Sequence, residues 1–465
     1  MRYVSTRGQA PDLGFADTVL AGLASDGGLY VPESYPPLTR DDLLALRGAP
    51  YAEVAARVIA PFTGGEVSGS DLARMIGEAY ATFAHPAVAP LVQVGPNGWM
   101  MELHHGRTLA FKDVAMQLLA RLMDHILGER DRRATIVGAT SGDTGGAAID
   151  AFAGRDRTDV FILFPEGRVS PVQRRQMTTS GGANVHAVAV TGDFDDCQDL
   201  VKAMFNDARF RDEVALSGVN SINWARIVAQ VVYYVTGALA LGAPDRAVSF
   251  CVPTGNFGDV FAGYVAKRMG VPIETLVVAT NDNDLLDRTL ESGSYERRPV
   301  VRTSSPSMDI AVSSNFERLL FDAYGRDAAE VRAAMDSLRQ SGRFAIKDGA
   351  MTVMREGFAA GACDTERAGA RIARTLAETD ITVDPHTAVG LDVAERHAGH
   401  APMVTLATAH AAKFPEAVER AIGRPPRVPD RLAGLMEREE RFATLPNDLA
   451  AVQDYVRERS RALRV

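Results

Sequence analysis

The feature that most constrains the fold is a repeated order of strand, glycine-rich loop, helix and strand. Two such units span residues 134–165 and 248–280, and a late apolar strand at residues 403–407 runs directly into Thr408. Strands that alternate with helices predict an α/β architecture with largely parallel sheets. Ligands in such folds bind at the carboxyl ends of the strands, so we expect the loops after these strands to carry the chemistry.

Length and charge narrow the class of partner. A chain of 465 residues is long enough for two or three domains. The formal net charge of -9 leaves no broad basic field for nucleic acid. We therefore expect a small-molecule substrate, with any anion held by a local site that acts against the global charge.

Cysteine, histidine and apolar patterns exclude several further classes. The three cysteines are far apart and form no CxxC pair, which predicts a reducing, cytoplasmic setting without disulfides. Adjacent His104 and His105 lack the spacing of a metal site, so we predict no metal. The longest apolar tract, at residues 231–243, is too short to span a bilayer and predicts a buried helix instead.

Lys112 lies in the first turn of a predicted buried helix. Apolar residues recur after it at helical spacing up to Ile126. A cation there faces the positive end of the helix dipole. Its position is therefore unfavourable unless an anion lies opposite or the amine is used for chemistry, such as a Schiff base with a carbonyl cofactor.

The loop after the strand at 248–252 resembles an anion cradle. Two glycines between a strand and a helix allow backbone amides to converge on a phosphate. On this segment alone, an ordinary tight turn capped by Asp259 is an open alternative. The loop residues are Gly255, Asn256, Phe257, Gly258 and Asp259.

Two other segments offer partners for an anionic substrate. The loop at 140–146 supplies hydroxyls and a helix start, although an ordinary N-cap explains the same residues. The segment at 220–226 ends in Arg226 at the start of an apolar helix. Arginine binds carboxylate or phosphate with two hydrogen bonds, but a structural ion pair is an equally open interpretation.

These segments occur together and in an order that resembles the threonine synthase family of fold-type II pyridoxal-phosphate enzymes. The resemblance covers almost the whole chain, from residues 3–8 to residues 445–449. It implies a fold like that of tryptophan synthase β, with two α/β domains and an N-terminal extension. The implied boundaries are a mainly helical extension at 1–85, a large cofactor-binding domain at 86–114 with 236–465, and a smaller mobile domain at 115–235.

The resemblance also implies roles for particular residues. Lys112 would be the Schiff-base lysine, the amides of residues 255–259 would hold the phosphate of pyridoxal 5'-phosphate, and Thr408 would contact the pyridine nitrogen. The implied substrate-binding residues are Thr140, Ser141, Asp143, Thr144, Asn220, Ser221 and Arg226. The chain departs from many relatives at Arg107, where they carry proline.

The implied reaction converts O-phospho-L-homoserine and water into L-threonine and phosphate, the last step of threonine biosynthesis, by γ-elimination and β-addition. Its class would be a carbon–oxygen lyase acting on phosphates. The alternatives are a phospho-lyase or a serine/threonine dehydratase that releases a 2-oxo acid, and a non-catalytic relative. We expect a monomer or homodimer, and a charge-rich helical tail at 430–465 without chemistry.

Overall fold

The computed structural model describes residues 1–464 and contains two larger sheets flanked by helices. The strands are β1 (Tyr3–Ser5), β2 (Tyr30–Pro32), β3 (Leu91–Gln93), β4 (Gly98–Glu102), β5 (Ala134–Ala139), β6 (Thr158–Pro165), β7 (Val185–Val190), β8 (Leu216–Ser217), β9 (Val248–Pro253), β10 (Ile273–Thr280), β11 (Ser294–Glu296), β12 (Arg343–Ala345), β13 (Phe358–Ala362), β14 (Met403–Ala407) and β15 (Ala443–Leu445).

Helices connect most of these strands. They are α1 (Phe15–Ala21), α2 (Arg40–Ala45), α3 (Tyr51–Thr63), α4 (Gly69–Tyr80), α5 (Lys112–Glu129), α6 (Asp143–Phe152), α7 (Pro171–Thr178), α8 (Phe194–Asn206), α9 (Ala208–Glu213), α10 (Trp224–Ala240), α11 (Gly258–Arg268), α12 (Leu285–Ser292), α13 (Phe316–Ala323), α14 (Ala328–Ser341), α15 (Asp348–Arg355), α16 (Thr365–Thr379), α17 (Pro385–Arg396), α18 (Pro415–Ile422) and α19 (Leu449–Arg459).

The two larger sheets confirm the predicted α/β architecture. The six-stranded sheet has the order β13-β10-β9-β14-β4-β3 and is parallel except for the β3–β4 hairpin. The five-stranded sheet has the order β15-β7-β6-β5-β8 and is parallel throughout. Each predicted glycine loop follows the carboxyl end of a central strand, β5 in one sheet and β9 in the other.

The chain's tail differs from the sequence prediction. Residues 430–442 contain only short 3-10 turns, and β15 is a strand that pairs in parallel with β7. The prediction of a helix through this stretch is therefore wrong, and only α19 and a terminal 3-10 turn are helical. The tail extends the sheet of the 115–235 segment because β7 offers a free edge for backbone pairing; residue 465 lies outside the described residues.

The N-terminal segment is mainly helical, as predicted, and joins the body through buried aromatic contacts. Helices α1 to α4 follow the antiparallel β1–β2 pair. The ring of Trp224 lies 5.9 Å from the rings of both Tyr3 and Phe62. The segment therefore packs on the first turn of α10, a helix that also contacts α5 and α11. Within residues 1–464, no helix is both long and apolar enough to cross a membrane.

Candidate active site

A single cavity lies where the N-termini of α5, α6, α10 and α11 meet the ends of β9 and β14. It brings together residues from all the segments that the sequence marked for chemistry. Its lining residues are Phe111, Lys112, Asp143, Thr144, Ser221, Arg226, Gln230, Pro253, Thr254, Gly255, Asn256, Phe257, Gly258, Asp259, Ser307, Met308, His386, Thr408 and Ala409.

Lys112 is held at the cavity by a tightly bonded loop. The Asp113 carboxylate accepts hydrogen bonds from the backbone N–H of Thr108 at 2.8 Å and from its hydroxyl at 2.7 Å. The N–H of Phe111 donates to the carbonyl of Thr408 at 2.8 Å. The backbone thus joins the end of β14 to the start of α5, and Lys112 and Thr408 line the same cavity.

The Lys112 amine has charged neighbours, as its position at a helix start predicts. Its Nζ lies 3.7 Å from a carboxylate oxygen of Asp143, and its side chain is almost completely buried. Burial lowers the pKa of Lys112, and the charge of Asp143 opposes this shift, while Arg226 and Lys413 add to it. The amine is therefore easier to deprotonate than an exposed lysine.

Asp143, which the resemblance implies as a substrate-binding residue, lines the cavity and contacts two lysines. Its other carboxylate oxygen lies 2.9 Å from Nζ of Lys413, and Gln173 donates a further bond at 2.9 Å. Burial opposes ionisation, yet the charges of Lys413 and Lys112 hold the pKa of Asp143 well below its usual value. The carboxylate of Asp143 thus compensates the charge of both buried lysines.

The loop at 255–259 has the geometry of a backbone cradle. A Cβ atom added to Gly255 would lie 2.7 Å from the carbonyl oxygen of Ser307, so the close approach requires glycine. Phe257 has φ of 63°, a left-handed conformation that is rare for an aromatic residue. Its ring packs on Phe316 and Phe358, which stabilises this backbone.

Asp259 follows the cradle in the first turn of α11 and faces two tyrosines. Its carboxylate accepts hydrogen bonds from Tyr233 at 2.5 Å and from Tyr234 at 2.8 Å. Burial raises the pKa of Asp259 to about 6, although both tyrosine hydroxyls oppose the shift. Both bonds go to Oδ1, so this side chain belongs to a buried polar cluster, and its Oδ2 has no hydrogen-bond partner in the described residues.

Arg226 is a buried cation without a carboxylate partner in the part of the chain that the structure describes. Its side chain is 2% exposed, it donates one bond to the Val219 carbonyl at 3.2 Å, and its Nε has no hydrogen-bond partner. Burial lowers its pKa to about 10. The structural ion pair left open by the sequence is not formed within residues 1–464, and a buried guanidinium facing a cavity calls for an anionic ligand.

The remaining predicted substrate residues divide into two groups. Thr144 and Ser221 line the cavity beside Arg226. Thr140, Ser141 and Asn220 lie outside the lining, and the Thr140 hydroxyl accepts bonds from the N–H groups of Gly142 and Gly145, both at 2.9 Å. The N-cap residue of α6 is Gly142, and the side chain that caps the first turn is that of Thr140, through its bond from Gly145, so the capping alternative holds for Thr140.

Comparison with known proteins agrees with this geometry. Family models match in three consecutive parts: "Threonine synthase N terminus" at 2–80, "Pyridoxal-phosphate dependent enzyme" at 87–354 and "Threonine synthase, C-terminal" at 387–456. The threonine synthase of Pseudomonas aeruginosa is 53% identical over 98% of each chain. The chain belongs to the threonine synthase family.

Solved structures of threonine synthases agree in fold. The crystal structure of the pyridoxal-phosphate-bound threonine synthase from Brucella melitensis has a TM-score of 0.97 and 63% identity, and covers 99% of this chain and 100% of that chain. The yeast threonine synthase has a TM-score of 0.94 and 37% identity over 98% of both chains. The fold is therefore that of the fold-type II pyridoxal-phosphate enzymes, as the resemblance implied.

The residues present fit the cofactor of this family. A threonine synthase needs a lysine, a phosphate cradle and a partner for the pyridine ring around one cavity. Lys112, the loop at 255–259 and Thr408 all line it. Two features of the lining suit anions: the loop at Gly255, where a Cβ would not fit, and the buried guanidinium of Arg226, whose Nε has no hydrogen-bond partner in the described residues.

Sequence reasoning missed several residues of the site. Lys413 belongs to the segment after β14 that resembles the family. Its contact with Asp143 was not predicted, because it forms only when residues 411–413 fold into a 3-10 turn. His386 bonds to Asp384 at 2.6 Å and accepts from the N–H of Ser307 at 3.2 Å, which fixes the segment facing Gly255. The sequence Asp384-Pro385-His386-Thr387 signals only a capped helix start.

Arg107 lies outside the cavity. Its Nε is 3.1 Å from a carboxylate oxygen of Asp150, and more than half of its side chain is exposed. It therefore adds no cation to the active site, which answers the question that its departure from the family pattern raised.

Proposed function

We propose that this chain converts O-phospho-L-homoserine and water into L-threonine and phosphate. Membership of the threonine synthase family supports the reaction, and one structural observation supports the substrate. That observation is the unpaired, buried guanidinium of Arg226 in the cavity of Lys112. A cofactor phosphate fills only one of the two anion positions, so the second fits the phosphate of a substrate.

Pyridoxal 5'-phosphate supplies an electron sink for the substrate carbon atoms when it is bound. Lys112 would hold it through Nζ, the N–H groups of residues 255–259 would bind its phosphate, and the Thr408 hydroxyl would contact the pyridine nitrogen. A hydroxyl in this position leaves the nitrogen mostly unprotonated, which moderates the sink.

Lys112 would also move protons at the substrate Cα and Cβ. Its lowered pKa increases the neutral fraction of the amine, which a general base requires. Asp143 and Lys413 hold the amine in place without contacting the substrate. The ring of Phe111, 4.6 Å from Nζ, excludes water from one side of the amine.

Arg226 would bind the phosphate that leaves the substrate. Ser221 and Thr144 line the same cavity and supply hydroxyl donors. Asn220, Thr140 and Ser141 lie outside the lining, so we assign them no direct contact with substrate. Because the position of Arg226 is buried, each hydrogen bond to a phosphate oxygen forms in a medium where charge interactions are strong.

The decisive experiment is product analysis with the cofactor-loaded enzyme. We expect O-phospho-L-homoserine to give equal amounts of L-threonine and phosphate, and L-homoserine to give no product. A main product of 2-oxobutyrate would establish a phospho-lyase or dehydratase and refute the proposal.

The matched variant is Arg226→Gln, which removes the charge and keeps most of the side-chain length. We expect kcat/KM for the phosphorylated substrate to fall by at least about 100-fold, because a charge-assisted pair to a phosphate is lost. The visible absorbance of bound cofactor should be unchanged. An unchanged kcat/KM would show that the substrate phosphate binds elsewhere.

We further propose a cytoplasmic enzyme that acts as a monomer or homodimer. Cys197, Cys251 and Cys363 are buried free thiols, which suits a reducing compartment. Light scattering of the purified protein measures the assembly state.

We also propose that the 115–235 segment, together with β15 and α19, forms the smaller domain.

A further inference from the structure

A second cavity lies on the other side of α5 and is lined by five arginines. Its volume is about 360 Å³, which is enough for a small organic molecule. We call it the arginine cavity and define it by Arg107, Arg121, Arg155, Arg431 and Arg438. These residues come from the Lys112 loop, from α5, from the end of α6 and from the tail before β15.

The arginine cavity has a large local excess of positive charge. Its lining contains one carboxylate, Asp150, which is shared between Arg107 and the amide of Gln117. Within residues 1–464, Arg155, Arg431 and Arg438 have no carboxylate oxygen within 4.0 Å. In a chain with a formal net charge of -9, such a cluster is a specific feature rather than part of a basic surface.

Arg121 is the buried member of the cluster. Its side chain is 9% exposed, and one of its nitrogens donates to the carbonyl and side-chain oxygens of Gln117 at 2.8 and 2.9 Å. Its Nε has no hydrogen-bond partner, and Glu78 lies 3.6 Å away. Burial and the nearby charge of Arg155 lower its pKa to about 10. The guanidinium is therefore a buried cation whose ion-pair partner, Glu78, is itself exposed.

The rest of the lining offers further donors of the kind that bind phosphate. Ser180 contributes a hydroxyl donor, and Gly181 and Gly182 follow it in the loop after α7, whereas the Thr179 hydroxyl already donates to the carbonyl of Arg175 at 2.7 Å. Open space surrounds the Cα of Gly181, so its backbone can be approached from the cavity. Guanidinium groups, hydroxyls and glycine amides together form a set of donors for oxyanions.

We propose that the arginine cavity binds a small phosphate-bearing anion at a site separate from the active site. Helix α6 connects the two cavities, with Asp143 at its start in one and Asp150 near its end in the other. Seven residues of helix separate them by roughly 10 Å. The ligand class is a multiply charged phosphate compound, because three arginines, Arg155, Arg431 and Arg438, are left after Asp150 pairs with Arg107 and Glu78 with Arg121.

Calorimetric titration of the cofactor-loaded enzyme with inorganic pyrophosphate tests this proposal. The variant Arg155→Gln/Arg431→Gln removes two cavity charges, and Arg424→Gln/Arg427→Gln removes two exposed charges outside it. We expect the cavity variant to weaken pyrophosphate binding at least tenfold and the control by less than twofold, with the turnover of both unchanged. Equal weakening in the two variants, or none in the cavity variant, would overturn the proposal.

Two further measurements separate this site from the active site. Arg226→Gln should leave the cavity titration intact, and loss of all pyrophosphate binding in that variant would place the anion in the active site and refute the proposal. In the wild-type enzyme, pyrophosphate should protect Arg155, Arg431 and Arg438 from phenylglyoxal, as read by mass spectrometry, and leave Arg424 reactive. Absence of selective protection would also refute it, whether or not the variants fold.

Discussion

Two glycine loops in this protein share one design and differ in what they do. Each follows a parallel strand, precedes a helix and places an aspartate in the first turn, Asp143 in α6 and Asp259 in α11. All five residues of the loop at 255–259 line the active-site cavity, whereas the loop at 140–146 contributes only Asp143 and Thr144. Different residues face the two loops: Ser307 and Phe316 contact the loop at 255–259, and Lys413 and Gln173 contact Asp143.

The two aspartates show the same contrast in their charge. Lys413 and Lys112 lower the pKa of Asp143 despite its burial, while burial among tyrosines raises the pKa of Asp259 to about 6. Asp143 is thus an anion over the ordinary pH range and lies between Lys112 and Lys413. Burial disfavours the ionised form of the Asp259 side chain, and we expect the backbone of this loop, not the carboxylate, to bind the cofactor phosphate.

The largest effect on cofactor binding is expected for Gly255→Ala. Its Cβ would lie 2.7 Å from a backbone oxygen of Ser307, whereas a Cβ at Gly146 in the other loop has its nearest contact at 3.7 Å, to Gln176. We expect Gly255→Ala to lower cofactor affinity by at least about 100-fold, since the cradle must widen to accept the methyl group. Gly146→Ala is the matched control and should be neutral or slightly stabilising. Titration of the visible cofactor absorbance measures both; equal affinities would show that the cradle tolerates the side chain.

The next effect is expected for Asp143→Asn, which leaves Lys112 and Lys413 buried without their anion. Removing one partner of a buried pair costs about 3–5 kcal/mol of the free energy of unfolding. The charge of Asp143 raises the pKa of Lys112, so its loss should lower that pKa further. Urea denaturation and the pH dependence of Lys112 acylation in the cofactor-free protein measure the two effects.

The variant Asp143→Asn/Lys413→Met provides the control for that change. It removes one of the two lysines that would otherwise repel each other, so it should recover part of the lost stability. A double variant no more stable than Asp143→Asn would show that the loss comes from packing and not from charge. The ionised carboxylate of Asp143 adds to the free energy of unfolding at pH values above its usual pKa near 4. This addition declines as the pH falls toward the lower pKa of Asp143 in the folded state.

A smaller effect of opposite sign is expected for Asp259→Asn. The folded-state pKa of about 6 lies above the ordinary aspartate pKa of 3.8, so the folded protein binds more protons than the unfolded chain between these values. The wild-type enzyme therefore loses stability through this group as the pH rises from about 4 to 6. An asparagine still accepts from both tyrosines and avoids the buried charge, so the variant should gain up to about 3 kcal/mol above pH 7.

Denaturation of the cofactor-free wild type and variant at several pH values checks this prediction. The difference in the free energy of unfolding should be near zero at pH 4 and should grow until about pH 7. Tyr234→Phe is the control because it removes one donor to the carboxylate and should destabilise the wild type but not remove the pH dependence. A difference that is constant across this range would mean that Asp259 titrates normally.

Sequence patterns alone located the strands and loops that form the active site. Periodicity and glycine placement predicted β5, β9, β14 and the start of α5 closely, since short apolar runs before glycine loops have few alternatives. They did not predict β15, because a three-residue strand in a charged tail carries no periodic signal and depends on the free edge of β7. Whether each site residue plays its predicted role is a question for the variants above.

The chemistry of individual side chains was less predictable than their location. Asp143 and Thr144 are neighbours in one motif, but only Asp143 contacts Lys413 and Gln173, which are distant in sequence. The sequence left two interpretations of Arg226 open, a structural ion pair and a contact with an anionic ligand. The structure decides against the ion pair, because no carboxylate pairs with Arg226 within residues 1–464. Both outcomes depend on tertiary neighbours that local sequence does not encode.

The smallest effect compares two threonines of the 140–146 loop. Thr140→Val removes the acceptor for the N–H groups of Gly142 and Gly145 and should cost about 2 kcal/mol of the free energy of unfolding. Thr144→Val changes a cavity hydroxyl and should alter stability by less than about 0.5 kcal/mol while raising KM for O-phospho-L-homoserine. Urea denaturation with steady-state kinetics separates the two roles. If Thr144→Val lowered stability as much as Thr140→Val and left KM unchanged, the whole loop would be structural, and substrate binding would rest on Arg226 and Ser221.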